Sequence, residues 1–511
     1  MTRRAAGRRS GRKSSGRPAM AQRPWTHVSN PYRPIEVLGA DQVEEIHQAS
    51  LTILEEIGIA FLLPEALEIL QAAGAEVNMT SQVVRFDRGL VEESLSHAPS
   101  TFTLHARNPE HNLELGENHV NFATVGSAPN VSDLERGRRP GNFRDYCDLL
   151  RLAQSINVIH LCGGYPVEPV DLPPATRHLD ALRAFATLTD KAFHAYSLGR
   201  TRILDGIEMA RIARGVSPEQ LSREPSLFTV VNSSSPLRID GPMLEGVIEM
   251  ARHNQIVVLT PFTLSGAMAP ATIAGALAQQ NAEALAGIAF AQIVNPGAPC
   301  MYGGFTSNVD MKSGAPAFGT PEYTRAALAG GQLARRYRLP YRSSNANAAN
   351  VVDAQAAYES EMSLWGAVMG HANMIMHGAG WMEGGLCASF EKMVLDAELL
   401  QMMAEFMIPL EVNEDTLGLD AIREVGQGGH FFGAAHTLAR YETAFYAPIL
   451  SDWSNFESWE ESGALTATER ANTLYKEILA GYEAPALDVA RREELDAFVA
   501  RRTSEGGALE G

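Results

Sequence analysis

Short apolar runs alternate with amphipathic stretches through the middle of the chain, from about residue 119 to residue 408. Several of these runs end at glycine, and their length is typical of buried strands. The eight strand candidates span residues 120–125, 158–164, 192–198, 227–232, 256–262, 300–305, 340–344 and 374–378. The eight helix candidates between and after them span residues 142–154, 176–188, 203–213, 243–252, 271–294, 321–337, 354–369 and 390–405. Eight βα units over about 290 residues predict an α/β fold of the (β/α)8 TIM barrel type, because an open doubly wound sheet normally uses fewer strands.

The segments on either side of this region have different patterns. Before it, apolar residues recur at helical spacing from residue 41 to about residue 97, and two alternating pieces, 102–105 and 112–115, predict a β-hairpin. After it, the chain is mostly helical, including 466–479 and 487–498. We therefore predict four parts: a disordered basic tail over residues 1–35, an N-terminal cap of helices and a β-hairpin over 36–118, the barrel over 119–408, and a C-terminal helical extension over 409–511.

Composition and charge narrow the possible partners. The 511 residues are 45% hydrophobic and 20% charged, which is ordinary for a globular protein and excludes collagen or wholesale disorder. The net charge is −18, although residues 1–35 contain nine basic and no acidic residues. The acidic body argues against nucleic acid as the main partner. The tail either binds RNA or an acidic protein or is simply solvated, and we favour the solvated tail.

Cysteine usage and hydropathy predict a cytoplasmic protein. The four cysteines form no CxxC pair, so the sequence predicts neither a disulfide framework nor a zinc ribbon. The tail lacks the apolar core of a secretory signal. Two long uncharged stretches, 253–282 and 284–309, are interrupted by Pro, Gly, Gln and Asn, so neither predicts a membrane span.

In a barrel, the active site lies at the carboxyl ends of the strands, so the residues that close the strand candidates are the candidate site. These residues are Thr124, Tyr165, Tyr196, Asn232, Ser233, Ser234, Ser235, Thr260, Phe262, Tyr302, Phe305, Ser343, Ser344, Asn345, His377, Trp381 and Glu383. The set is rich in aromatic and amide groups and contains no carboxylate pair, no strand-ending Lys and no His-x-His cluster, which disfavours most hydrolase and metal chemistries. Aromatic faces attract quaternary ammonium groups, although the same residues are also able to pack beneath loops without binding anything.

Several segments, in their order along the chain, carry a family resemblance. They are 50–59 (SLTILEEIGI), 261–276 (PFTLSGAMAPATIAGA), 282–287 (AEALAG), 318–322 (FGTPE), 353–355 (DAQ), 428–432 (GGHFF), 436–438 (HTL), 451–453 (SDW) and 459–460 (WE). Together they resemble the trimethylamine methyltransferase family, in particular the branch without pyrrolysine that includes glycine betaine–corrinoid methyltransferases. The likeness extends from Pro31 to about residue 480 and includes the Arg-rich start.

The resemblance implies a (β/α)8 barrel that forms a homo-oligomer and moves a methyl group from a methylamine to the Co(I) corrinoid of a separate partner protein. In the trimethylamine branch, a pyrrolysine in the barrel is thought to handle the amine. This chain has only standard residues, and the matching region lies near residues 343–350. The resemblance therefore implies a quaternary or tertiary methylamine, and the missing pyrrolysine favours a betaine-like quaternary substrate.

The site hypothesis follows from the strand ends and the resemblance together. We expect the aromatic rings of Tyr165, Tyr302, Phe305 and Trp381 to surround the cation. We expect a polar group from Asn232, Ser234, Asn345 or His377 to hold the carboxylate of a betaine. The glycines of the loop after the last strand, Gly378 and Gly380, are expected to let the corrinoid approach, although such a loop is also able to cradle a phosphate.

Two alternatives remain open at this point. The first is a non-catalytic methylamine-binding or regulatory protein on the same barrel, which would need no reduced cobalt. The second is a zinc-dependent methyltransferase that acts on thiols or methanol, which the scattered His and Cys residues disfavour. We expect no metal in this chain and no catalytic side chain can be assigned from the sequence.

Overall fold

The computed structural model describes residues 20–508. In the first part of the described chain, helices pack against the later helix Ile273–Val294, a short strand pairs with Arg238–Ile239, and a hairpin lies at the amino end of the central sheet. Its elements are β1 (Val28–Ser29), α1 (Ala40–Thr52), β2 (Ile59–Phe61), α2 (Pro64–Ala72), β3 (Glu76–Asn78), β4 (Val83–Arg85), α3 (Arg88–His97), β5 (Phe102–Leu104) and β6 (Leu113–Leu115). Strands β5 and β6 form the predicted antiparallel hairpin.

The middle of the chain alternates strands with helices. Its elements are β7 (His119–Thr124), β8 (Asn130–Ser132), β9 (Arg139–Pro140), α4 (Phe143–Ser155), α5 (Arg177–Leu188), β10 (Phe193–His194), α6 (Arg200–Arg214), α7 (Pro218–Arg223), β11 (Leu227–Val231), β12 (Arg238–Ile239), α8 (Gly241–Arg252), β13 (Ile256–Leu259), β14 (Phe262–Ser265), α9 (Ile273–Val294), β15 (Cys300–Gly303), β16 (Phe305–Val309), β17 (Pro316–Ala317), α10 (Pro321–Tyr337), β18 (Tyr341–Ser344), α11 (Ala354–Met369), β19 (Met374–Ala379), β20 (Trp381–Met382), β21 (Cys387–Ser389) and α12 (Phe390–Phe406). All eight predicted helices are present within about three residues of their expected ends.

The main sheet is curled and has the strand order β1-β7-β19-β18-β15-β13-β11-β10. All neighbouring pairs are parallel except β1 with β7. Leu161 makes single parallel bridges to Ala123 and to Ala192, on the two sides of the curl. The fold is therefore mixed α/β, with the parallel strands and crossover helices that the sequence predicts.

Four strand candidates differ from the prediction in detail. The candidate 192–198 forms only the two-residue strand β10 (Phe193–His194). The candidate 158–164 pairs only at Leu161, and Gly164 then turns the chain away with a φ of +138°. The candidates 256–262 and 300–305 each contain two strands, because the chain leaves the main sheet after Leu259 and after Gly303. The second strands, β14 and β16, pair with each other in a separate sheet.

The interior of the curled sheet is filled from its amino end. Inward-facing residues such as Phe228, Ile256 and Met301 form one buried cluster with the β5–β6 hairpin. The backbone N–H of His105 donates a hydrogen bond to the carbonyl oxygen of Pro225, just before β11 (2.8 Å). The hairpin therefore closes the amino end, and the carboxyl ends of the strands are left for the site.

The segment predicted as a basic tail is only partly within the structure. Residues 1–19 lie outside the described residues. Residues 20–35, predicted to be disordered, follow the body of the protein, where Val28 and Ser29 pair with β7. The ring of Trp25 packs against the rings of His27 and His111 (4.9 and 5.0 Å between centroids). Apolar contact and strand pairing thus order this part of the tail.

The C-terminal part of the described chain, from residue 409 to residue 508, is mostly helical. Its elements are α13 (Glu414–Leu417), α14 (Leu419–Val425), α15 (Ala435–Arg440), α16 (Phe456–Glu461), α17 (Ala467–Ala480) and α18 (Val489–Ser504). Helix α17 packs on α12, and α18 packs on α5 and α6. Across residues 20–508, none of the helices is long and apolar enough to cross a membrane.

Candidate functional site

A cavity of about 500 Å³ opens at the carboxyl ends of the parallel strands, which is where ligands bind in sheets of this kind. The volume lies within the range of small-molecule sites, about 300–1,000 Å³. Residues from five strand ends line it: Gly163 and Tyr165, His194 and Tyr196, Val230 and Asn232, Arg342, and Met376 and His377. Within the described chain, no group of three or more His, Cys, Asp or Glu residues is arranged to hold a metal ion.

One side of the cavity, which we call the aromatic wall, consists of Tyr165, Tyr196 and His194. The two tyrosine rings meet edge to face, with 4.6 Å between their centroids. The Tyr196 hydroxyl accepts hydrogen bonds from the Tyr165 backbone N–H and from the Ser127 hydroxyl, both at 2.8 Å. A Cβ atom on Gly164 would lie 2.4 Å from the Tyr196 hydroxyl, so glycine is needed to bring the two tyrosines together.

His194 completes the aromatic wall with a neutral imidazole. Its ring lies 4.7 Å from the Tyr196 ring and 4.8 Å from the Phe228 ring. Neither ring nitrogen has a hydrogen-bond partner within residues 20–508. Burial lowers the pKa of His194 to about 3, so the ring is uncharged at neutral pH. Its free nitrogens point to a ligand, because buried polar atoms are normally paired.

The other side, which we call the arginine wall, consists of Arg342 and His377. Arg342 is 3% exposed, and its guanidinium carbon lies 5.3 Å from the centre of the Phe305 ring. Its Nε and Nη1 atoms have no hydrogen-bond partner among the described residues. Burial lowers the pKa of Arg342 to about 10, which still leaves it charged at neutral pH. A buried unpaired charge is costly, so this wall favours an anionic ligand group.

His377 occupies an irregular part of β19. The pairing of β19 with β7 shifts register between Ile375 and Ala379, as at a β-bulge. His377 itself has a φ of +57°, which is unusual for a residue with a side chain. Its ring packs against Trp381 with 4.0 Å between the centroids and 40° between the planes, and its Nδ1 atom has no partner in the described chain. Burial, together with the nearby charge of Arg342, holds the pKa of His377 well below its ordinary value.

A buried ion pair supports the turn that follows His377. The Lys392 ammonium donates to the Asp396 carboxylate, and both side chains are fully buried. Asp396 also accepts a hydrogen bond from the Gly380 backbone N–H (2.8 Å), and Lys392 donates to the Ser360 hydroxyl (2.8 Å). These bonds fix the chain between the bulge and α12, behind the arginine wall.

The structure brings four of the candidate strand-end residues onto the cavity: Tyr165, Tyr196, Asn232 and His377. Two others lie outside it. The Tyr302 ring is fully buried on the outer side of the sheet, where its hydroxyl donates to the Asn281 side-chain oxygen (3.0 Å). Ser234 donates to the Asp240 carboxylate (3.2 Å) at the start of α8.

Phe305 and Trp381 lie beneath the arginine wall and do not line the cavity. Phe305 packs against the Arg342 guanidinium, so this ring already faces a cation of the protein itself. Trp381 is enclosed by the rings of Phe305 and His377, and its indole N–H donates to the Asn347 carbonyl oxygen (3.2 Å). Both residues therefore position the arginine wall.

Asn345 and the two loop glycines are also part of the support. The Asn345 amide donates to the Gly378 carbonyl oxygen (3.0 Å). A Cβ atom on Gly378 would lie 2.7 Å from the Ala123 carbonyl oxygen, and Gly380 has a φ of +97°. Both glycines are buried, so close packing against β7 accounts for them, and neither is on the cavity surface.

Sequence reasoning missed Arg342 and gave no role to His194. Both lie inside strand candidates, whereas the sequence prediction took only the residues that close each strand as the candidate site. The available signal was the residue type: a charged side chain inside a buried strand is rare unless it is paired or functional.

Comparison with known proteins identifies the family. The family model "Trimethylamine methyltransferase (MTTB)" matches residues 4–507. The chain is 38% identical to the glycine betaine methyltransferase of Desulfitobacterium hafniense strain Y51, over 92% of this chain and 98% of that protein. It is 30% identical to the trimethylamine methyltransferase MttB of D. hafniense strain DSM 10664 / DCB-2, over 86% and 89%.

A solved structure of the monomethylamine methyltransferase MtmB from Methanosarcina barkeri matches 91% of this chain and 89% of that chain, with a TM-score of 0.49 and 10% identity. The family match spans nearly the whole chain and includes every residue of the aromatic and arginine walls. The resemblance seen in the sequence, and with it the expectation of a methyltransferase, is confirmed: the chain belongs to the trimethylamine methyltransferase family.

Proposed function

We propose that this chain transfers a methyl group from a betaine-like quaternary methylamine to the Co(I) corrinoid of a partner protein. The observation that carries this proposal is the aromatic wall. The ring faces of Tyr165 and Tyr196 attract a cation, and the neutral His194 adds no opposing charge. A quaternary ammonium cannot donate a hydrogen bond, so aromatic contact is its natural mode of binding, worth up to about 2 kcal/mol when water is excluded.

The reaction requires no proton transfer. The C–N bond breaks and its electron pair stays on nitrogen, which leaves a neutral tertiary amine. The electron pair of Co(I) forms the new bond to the methyl carbon. The part of this chain is to hold the methyl group in line and to exclude water. This role fits a cavity in which His194 and His377 are uncharged, His178 is bound to Asp205 (2.8 Å), and the carboxylate of Glu168 is bound to Arg177 (2.9 Å).

The missing pyrrolysine and the relatives support a quaternary substrate. The chain contains only standard residues, including those of region 343–350. It shares 38% identity with a protein named for glycine betaine and 30% with one named for trimethylamine. Neutral trimethylamine would have to leave as an amide anion and is a poor methyl donor, whereas protonated trimethylamine carries an N–H that needs an acceptor, and the carboxylate that lines the cavity, Glu168, is already bound to Arg177 (2.9 Å).

A panel assay tests this function. Purified protein, cob(I)alamin and a titanium(III) reductant are mixed with glycine betaine, other N-methylated betaines, carnitine or trimethylamine, and methylcobalamin absorbance is followed. We expect methylation with a quaternary amine and none with trimethylamine. Methylation with trimethylamine alone would contradict the substrate assignment. Ligand binding by calorimetry without methyl transfer, also after the cognate corrinoid protein is added, would favour the non-catalytic binding protein, and zinc that is required for turnover would favour the metal-dependent alternative.

We also propose that the curled sheet closes as a complete (β/α)8 barrel, with the cap, barrel and extension divided near residues 118 and 408. The two bridges of Leu161 support closure, because they join β7 to the segment before β10. The four cysteines are unpaired and buried, which supports a reducing, cytoplasmic location.

Finally, we propose a homo-oligomer that forms through residues 408–445. This segment, which we call the arm, exposes many large apolar side chains: Ile408, Leu410, Val412, Leu417, Leu419, Ile422, Phe431, Phe432, Leu438, Tyr441 and Phe445. Only two of its own apolar residues, Ala421 and Ala434, are buried. An exposed apolar surface of this extent is typical of a protein–protein interface.

The position of the arm favours a second copy of the chain over the corrinoid partner. The arm begins after Phe406, which packs on Tyr32 near the amino end of β19, opposite the cavity. The corrinoid protein has to dock at the cavity. We expect Phe432→Ser/Phe445→Ser to convert an oligomer to a monomer in sedimentation analysis, with methyl transfer to free cob(I)alamin retained. A monomeric wild-type protein would contradict this assignment, and so would a double variant that loses methyl transfer to the corrinoid protein while it retains transfer to free cob(I)alamin.

A further inference from the structure

Methyl transfer itself gives no role to one histidine of the cavity, His178. This residue lies in the first turn of α5 and lines the cavity together with Leu182, which is four residues later and therefore on the same face of the helix. The side chain is 5% exposed. Its Nε2 atom donates a hydrogen bond to the Asp205 carboxylate (2.8 Å), and its Nδ1 atom has no partner among residues 20–508. Because a carboxylate only accepts hydrogen bonds, Nδ1 is the nitrogen that gains and loses a proton.

The C-terminal helix holds Asp205 in place. The Nε atom of Arg502, in α18, donates to Oδ1 of Asp205 (2.7 Å), while His178 is bound to Oδ2. The end of the described chain is tied to the same region, because the Ala508 N–H donates to the Ala175 carbonyl oxygen just before α5 (2.8 Å). A carboxylate fixed at one nitrogen of an imidazole orients the ring and stabilises its protonated form.

The product of the proposed reaction has a use for such a histidine. Methyl transfer converts a quaternary ammonium, which has no lone pair, into a neutral tertiary amine. Alkyl amines such as the Lys side chain have an ordinary pKa of about 10, so this product takes up a proton at neutral pH. Until it does, its lone pair is able to attack the transferred methyl group and reverse the step. A proton donor in the cavity would therefore commit the reaction in the forward direction.

We propose that His178 protonates the tertiary amine that methyl transfer produces, with Asp205 and Arg502 as its positioning residues. This inference rests on the proposed function and deepens it. The Nδ1–H bond of the imidazolium breaks, and the proton goes to the lone pair of the amine nitrogen. The neutral imidazole then regains a proton from a hydronium ion or a buffer acid, because the cavity opens to solvent beside Leu198, which is 45% exposed.

The other two histidines of the cavity are unsuited to this task. Burial lowers the pKa of His194 to about 3 and holds that of His377 well below its ordinary value, so neither carries a proton at neutral pH. Of these three residues, His178 is the one bound to a carboxylate within the described chain. Besides Asp205, the charged or titratable side chains around this end of the cavity are Arg177 and Glu168, which bind each other, Arg202, Tyr165, Tyr196 and Arg502.

The experiment compares the first turnover of glycine betaine with later turnovers, with cob(I)alamin in excess. In His178→Gln we expect the first-turnover rate of methylcobalamin formation to stay within about twofold of the wild type, because the transfer itself needs no proton. We expect kcat to fall about tenfold or more, because the product amine loses its general acid. Imidazole added to His178→Ala should restore part of the lost kcat, a response that a merely structural histidine would not give.

His111→Gln is the matched control, because His111 is likewise bound to an aspartate, Asp190 (2.8 Å), but belongs to the hairpin that closes the amino end of the sheet. It should keep the wild-type kcat. Arg502→Gln should lower kcat by less than His178→Gln does and leave the first turnover unchanged. A His178→Gln protein with wild-type kcat, or a His178→Ala protein that imidazole does not restore, would overturn the proposal.

Failure of the proposed function is distinguishable from failure of this inference. A wild-type protein that forms no methylcobalamin in the first turnover, also with the cognate corrinoid protein, would refute the function. A normal first turnover, together with equal kcat in the wild type and in His178→Gln, would refute the role of His178 and leave methyl transfer standing.

Discussion

The two walls of the cavity differ in how their polar atoms are satisfied. On the aromatic wall, the Tyr196 hydroxyl accepts two hydrogen bonds from the protein, which fix the ring. On the arginine wall, the Arg342 guanidinium packs against the Phe305 ring, and its Nε and Nη1 atoms have no hydrogen-bond partner among the described residues. The comparison teaches that a satisfied polar group in a site positions a surface, whereas an unsatisfied one marks where the ligand binds.

The largest expected effect comes from the support behind the arginine wall. Lys392→Met leaves the Asp396 carboxylate buried without its partner, and we expect the free energy of unfolding to fall by about 3–5 kcal/mol. Urea denaturation measures it. The double variant Lys392→Met/Asp396→Leu should recover most of the loss. A single variant within about 1 kcal/mol of the wild type would show that the pair does not hold this wall.

The next effect separates the ring of Tyr196 from its hydroxyl. Tyr196→Leu removes the aromatic surface, and we expect kcat/KM for glycine betaine to fall about thirtyfold, equivalent to about 2 kcal/mol. Tyr196→Phe keeps the ring and loses only the anchoring bonds, so its loss should stay below about tenfold. If the two variants behave alike, the ring does not bind the cation.

A smaller effect concerns the neutral His194. Its pKa is lowered to about 3 in the folded protein, so between pH 6.5 and 3 the unfolded chain binds the additional proton. Stability therefore falls as pH decreases through this window, by up to about 1.4 kcal/mol per pH unit from this residue. His194→Phe should reduce the slope of unfolding free energy between pH 6 and 4.5, whereas exposed His430→Phe should not. An unchanged slope in His194→Phe would contradict the burial argument.

The smallest effect tests a residue outside both walls. Tyr302→Phe removes the buried hydrogen bond that the hydroxyl donates to Asn281 (3.0 Å) and the longer one that it accepts from the Gln280 amide (3.4 Å), and should cost about 1–2 kcal/mol of stability. Because the Tyr302 ring is on the outer side of the sheet, KM and kcat should remain at wild-type values in the methyl-transfer assay. A raised KM for glycine betaine would place Tyr302 in the site, as the sequence first suggested.

Much of the fold follows from local pattern, because apolar runs and helical spacing record which residues are buried. The site depends on which face of each strand is inward, and this is decided by neighbours far away in sequence. Tyr302 and Gly303 illustrate the limit: they are adjacent, yet the glycine faces inward beside Arg342 and the tyrosine faces α9. The bulge at His377 is likewise a result of packing between β19 and β7, which no local pattern reveals.

The most direct test of the central claim is a crystal structure with glycine betaine bound. The carboxylate should lie within hydrogen-bond distance of the Arg342 guanidinium, and the trimethylammonium group should contact the rings of Tyr165 and Tyr196. A bound molecule with its ammonium beside Arg342, or with its carboxylate away from both walls, would contradict the assignment of the two walls.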